Sequence, residues 1–144
     1  MEFLVEYIKK SEKLTVKELD ERFDGDYERA IDVLGLSKEN WAEFVGEFGK
    51  IVEKKTFNKV SEVEEEIGAE LPEDIRYDSG SNGYDMFWKN YFNIVSTPEG
   101  EFLVFEQYYA VVSREYVEHT LMLWRPVTLT HILRVFSLQR FLTQ

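Results

Sequence analysis

The chain has no cysteine among its 144 residues, which excludes a disulfide framework, a thiolate metal site and a cysteine nucleophile. That absence is consistent with a reducing compartment. The opening residues, MEFLVEYIKKSEK, lack the basic start, apolar run and small-residue cleavage site of a signal peptide. No apolar stretch approaches the ~18 to 20 residues that span a bilayer, so the protein is expected to be cytoplasmic and away from membranes. Histidine is scarce as well. Only His119 and His131 occur, twelve residues apart, and both are expected to be structural.

Catalytic signatures are missing too. There is no H-E-x-x-H, G-x-x-x-x-G-K-[ST], G-x-G-x-x-G or G-x-S-x-G motif. Asp78 to Asp85 holds acids and glycines but not the alternating oxygen ligands and terminal Glu of a calcium loop. Glu53-Lys54-Lys55, with Asp32 as partner, is the nearest approach to a nuclease carboxylate set. The same letters also suit a solvated helix end. No spacing among the 28 acids singles out a glycosidase pair. The chain is not expected to be an enzyme or to hold a cofactor or metal.

What is present is acid and aromatic side chains. Eleven Phe, eight Tyr and three Trp are ample for a core, and a hydrophobic fraction of 44% argues against disorder. Glu outnumbers Asp, with few Asn and Gln, a bias of the hyperthermophile kind. The net charge of −11 repels phosphate backbones, so basic proteins are expected partners and nucleic acid is not.

The predicted fold is α+β and forms one domain over residues 1–144. It has a helical half (1–59), an acidic helix and loop (60–85), an antiparallel meander (86–127) and a C-terminal helix (128–144). Phe3, Leu4, Tyr7 and Ile8 have the spacing of one helical face. Thr15, Asp26 and Ser37 can cap three further helices: Val16 to Phe23, then to about Leu34, then to about Lys54. Ser61 with Glu64 makes a capping box for a short helix ended by Gly68. Strands are expected at Met86–Ser96, Glu101–Val112 and Val117–Trp124, with Pro98-Glu99-Gly100 as a hairpin turn and a fourth strand possible at 55–60. Thr130 to Leu142 is apolar nearly all round and is predicted to be a helix, inserted in the core or shared across a homodimer through Leu138, Phe141 and Leu142.

Charge by segment is the strongest functional signal. Residues 60–85 hold Arg76 as their single base against nine acids: Glu62, Glu64, Glu65, Glu66, Glu70, Glu73, Asp74, Asp78 and Asp85, a net of −8. The rest of the chain accounts for only −3. Two readings stand: a solvated solubilising face, or a patch that docks on a basic surface with a fast, salt-sensitive on-rate. In the second, Trp88 and Tyr91 on the neighbouring strand are the expected anchors, since interface energy concentrates in a few aromatic or Arg contacts.

Three stretches resemble known proteins. Leu14 to Leu36, with Thr15, Leu19, Phe23, Ala30, Ile31 and Leu34, is similar to a helix-turn-helix, which implies a transcriptional regulator. Its second helix, however, carries Asp26, Glu28 and Asp32 against one Arg29, the wrong charge for phosphate. Val63 to Gly83, with Glu66, Ile67-Gly68, Leu71-Pro72, Asp74 and Asn82-Gly83, resembles the opening signature of the SMI1/KNR4 family, which includes toxin-immunity proteins. The acidic chain with the strands FWKNYFNIV, EFLVFEQYYAVV and HTLMLWRPV resembles small inhibitor proteins of archaeal viruses, anti-CRISPR proteins among them. That resemblance implies a non-catalytic protein that inhibits or sequesters a basic, nucleic-acid-binding protein. An assembly subunit without inhibitory activity is the alternative.

Overall fold

The computed structural model describes residues 3–113, 116–117, 120–121 and 125–138. Its centre is an antiparallel sheet ordered β1-β8-β5-β4-β2, with the two-residue β3 also paired to β4. The strands are β1 Phe3–Thr15, β2 Glu53–Phe57, β3 Gly80–Ser81, β4 Met86–Thr97, β5 Gly100–Val112 and β8 Pro126–Ser137. Tyr116–Val117 (β6) and Thr120–Leu121 (β7) form a small separate hairpin. Four helices complete the order: α1 Val16–Phe23, α2 Tyr27–Val33, α3 Leu36–Phe48 and α4 Val60–Ile67. The α+β class holds, but the predicted order of helices and strands does not.

The first correction is β1, predicted to be helical. It pairs with β8 from Phe3↔Phe136 to Thr15↔Pro126, with register shifts between Phe3 and Val5 and between Val5 and Ile8. Each shift gives β1 one residue more than its partner, which breaks the two-residue alternation. The apolar positions then fall at a spacing that imitates a helical face.

The second correction is the C-terminal helix. Thr130 to Ser137 belongs to strand β8, which lies between β1 and β5 and is covered on both faces. A strand buried on both sides is apolar in both alternations, and periodicity alone does not separate it from a buried helix. β-branched Val127, Thr128, Thr130, Ile132 and Val135 favour the strand. The basis for a dimer through a C-terminal helix goes with that helix. Leu138 is buried just past β8, while Phe141 and Leu142 lie outside the described residues.

β8 also takes the place beside β5 that was expected for residues 117–124. Of that segment only the β6–β7 hairpin backbone is described, and His119 and Trp124 lie outside. The predicted β4–β5 hairpin stands in register from Met86↔Val111 to Thr97↔Gly100. α3 stops at Phe48, where Gly49 takes φ 96°, and the extra strand on β4 is Glu53–Phe57.

Two caps behave as expected. Thr15 and Glu18 exchange the bonds of a capping box at α1, and the Asp26 carboxylate accepts from Arg29 N–H at α2. Two do not. Gly35 (φ 82°) opens α3, and Ser37 inside the first turn is buried against the sheet. α4 has no cap from Ser61; its Val60 N–H donates to Asp78 Oδ1 at 2.8 Å, eighteen residues along the chain.

α1, α2 and α3 pack on one face. There Ile31, Phe44 and Ala30 are fully buried against Tyr108, Ala110, Val104, Leu129 and Val135. On the other face α4 and the short 3-10 helix Glu73–Ile75 bury Val63, Ile67 and Ile75 against Phe92, Leu103, Phe105 and Phe136.

Candidate functional site

The acidic segment is a layer on that second face, and most of its carboxylates already have partners. Glu64 Oε2 accepts from Leu71 N–H at 2.7 Å and from Arg76 Nε at 2.8 Å, while Oε1 takes Arg76 Nη2 at 3.2 Å. Chiefly through the Arg76 hydrogen bonds, and against a smaller desolvation, the Glu64 carboxyl lies below its ordinary range. Glu70 pairs with the same Arg76 at 3.8 Å, Glu66 with Lys55 at 3.3 Å, and Asp74 with Arg134. Asp78 caps α4, and Asp85 accepts from Asn82 Nδ2 at 2.7 Å in the turn before β4. Glu62, Glu65 and Glu73 are exposed and make no hydrogen bond or ion pair among the described residues.

The two expected anchors do not come together. Trp88 and Tyr91 stand three apart on β4, so alternation sends them to opposite faces. Trp88 lies beside the acidic layer, its indole N–H donating to Asp78 O at 3.0 Å and its ring edge-on to Tyr77 at 6.4 Å. Tyr91 faces the helices, with its hydroxyl bonded to Glu28 of α2 and its ring 5.6 Å from Tyr108.

The helix pair that resembles a helix-turn-helix is turned inward. Glu28 bonds Tyr91, Asp32 accepts from Tyr108 Oη at 3.0 Å, and Tyr27 packs on Phe87. The nuclease letters are dispersed, with Asp32 on α2 over the sheet, Glu53 on the β2 edge and Lys55 paired to Glu66. Among the described residues no three His, Asp or Glu side chains are grouped to hold a metal, and no helix is long and apolar enough to cross a membrane.

His131 sits in a buried polar network between α3 and the sheet. Its Nε2 donates to Glu106 Oε2 at 2.7 Å, and its Nδ1 accepts from Asn40 Nδ2 at 2.8 Å. Asn40 Nδ2 also donates to the His131 carbonyl at 2.9 Å, which fixes the amide orientation and leaves Asn40 Oδ1 without a partner. Trp41 Nε1 donates to Glu106 Oε2 at 2.8 Å, with Lys54 over the Trp41 ring. Burial pushes the Glu106 carboxyl up, but the bonds from His131 and Trp41 outweigh it, and the group lies below its ordinary range. With His131 fully buried, the network fastens α3 to the sheet and presents no reacting group to a substrate.

No family profile, curated protein or solved structure matches this chain. Function therefore rests on its own residues.

Sequence reasoning missed one feature. Past the 3-10 helix, the second face is lined by Tyr77, Met86, Trp88, Tyr109 and Ile132 around a groove. Its one trace in the sequence is that β5 is apolar on both alternations, which requires something on each side.

Proposed function

We propose that this chain is a non-catalytic binding protein whose acidic layer docks on a basic protein surface, such as a nucleic-acid groove, and so sequesters or inhibits that partner. One observation carries the reading: residues 60–85, net −8, lie on a frame anchored to the sheet, with Glu62, Glu65 and Glu73 exposed and in no hydrogen bond or ion pair among the described residues. Carboxylates held on a preorganised surface raise encounter rates without an ordering step. Trp88, at the margin of this layer, is the anchor that fits. Tyr91 leaves the proposed interface, because helix α2 engages it. The resemblance to small acidic inhibitors of archaeal viruses gives the reading a setting, an anti-defence protein acting in the cytoplasm.

The test uses the chain immobilised against a lysate of its native host, beside the triple variant E62K, E65K and E73K. The three side chains make no hydrogen bond or ion pair among the described residues, and Glu73 acts on Arg76 only at longer range, so folding is expected to survive. The parent should retain a basic, nucleic-acid-binding protein at low salt and release it as salt rises, and the variant should fail to retain it. Equal retention by both would reduce the layer to a solubilising face.

A further inference from the structure

The groove on the second face has the composition of a small-molecule site. Trp88 on β4 and Tyr109 on β5 are direct cross-strand partners, and Tyr77 meets the Trp88 ring edge-on. With Met86 and Ile132 they line an open groove of about 390 Å³. Volumes of roughly 300 to 1,000 Å³, mostly apolar with a few placed polar groups, are typical of ligand pockets.

The polar groups are placed by their neighbours. Asn90 Nδ2 donates to the Tyr77 carbonyl at 3.0 Å, so its Oδ1 faces Gln107 and accepts from Nε2 at 2.9 Å. Gln107 Nε2 also donates to Tyr77 Oη at 2.7 Å, which leaves Oε1 as its unengaged acceptor. Thr130 and Ser11 pair their hydroxyls at 2.9 Å. Lys9, opposite Ile132 on β1, is the one charged residue of the lining and makes no ion pair among the described residues. Three strand spacings of about 4.8 Å put the β1 and β4 backbones about 14 Å apart.

In a chain of net charge −11, a groove with an aromatic wall at one end and a single cation at the other has a polarity of its own. We propose that the groove binds a planar aromatic anion, its ring on Trp88 and Tyr109 and its carboxylate or phosphate on Lys9. The groove shares Trp88 with the proposed docking interface but uses none of Glu62, Glu65 and Glu73, so K9E tests the groove and the triple reversal tests the docking, and either can fail without the other.

The test follows the indole N–H signal of Trp88 by two-dimensional NMR during titration with three probes. Indole-3-acetate and tryptamine carry the same ring with opposite charge, and adenosine monophosphate replaces the carboxylate by phosphate. Indole-3-acetate, adenosine monophosphate or both should shift the signal saturably, and tryptamine should bind about tenfold more weakly than the better anion. K9E, at an exposed position, should reverse the order of the two indoles. W88A lacks that indole signal and is read instead by saturation transfer from the protein to the probe, where it should abolish binding; if it fails to fold, K9E carries the decision alone. No saturable shift at millimolar probe, equal binding of both indoles, or an order unchanged in K9E would overturn the proposal.

Discussion

The two faces of the sheet are built from alternate residues of the same strands, yet they are covered differently. Beneath α1–α3, packed rings close the core, Phe44 meeting Phe102 edge-on, and the Glu106–His131 network is sealed within. Above the other face, α4 and the 3-10 helix cover only the Phe92–Phe105–Phe136 end and leave the Trp88–Tyr109 end as a groove. Among the described residues, the first face of the sheet is covered by α1, α2 and α3. The second has a charged layer and a concave strip side by side. Strands that alternate between two hydrophobic sets can thus carry a closed core on one side and a partly open groove on the other.

The largest effects should come from the sealed face. His131→Leu leaves the buried Glu106 carboxylate without its main donor and should cost about 3–5 kcal/mol in denaturant unfolding. The double variant with Glu106→Leu should be more stable than this single one, because no uncompensated charge stays behind. On the other face, Ile75→Ala should cost about 2–5 kcal/mol and raise hydrogen exchange in α4 before the β5 and β8 amides respond. If both variants released the whole sheet together, the two faces would be one cooperative unit and the contrast would fail.

Glu64 sharpens the contrast within the acidic layer. Its carboxyl is held low in the folded state, so its contribution is complete above the ordinary carboxylate range near pH 4 and is lost as pH falls through the lowered native value. Glu64→Gln should therefore be less stable than the parent at pH 7, with the gap closing in acid, as thermal melts across pH would show. Glu65→Lys should change stability by no more than about 0.5 kcal/mol at any pH. A reversal of Glu64, Glu65 and Glu66 together would confound docking with the loss of the Arg76 and Lys55 pairs.

That confusion marks how far the sequence reaches. α1 and α2 were legible because Thr15 and Asp26 are capping residues at the right spacing, and the β4–β5 hairpin because Pro98-Glu99-Gly100 separates two strand patterns. β1 was hidden by its two register shifts, and β8 by burial on both sides. The acidic layer could be counted, but not which of its charges are engaged, since Lys55, Arg76 and Arg134 are brought to it by the fold. The separation of Trp88 from Tyr91 was legible, because an odd spacing in a strand cannot share a face. The groove was not, as β1, β4, β5 and β8 each contribute to it.

The claim that the acidic layer is a docking surface is tested most directly by the salt dependence of association with the captured basic partner, measured by stopped flow. For the parent, the logarithm of the association rate should fall steeply with ionic strength. For E62K, E65K and E73K combined, the low-salt rate should drop and the slope flatten, while the unfolding midpoint stays in place. An unchanged rate and slope in the triple variant would contradict the proposal and move the interface elsewhere on the molecule.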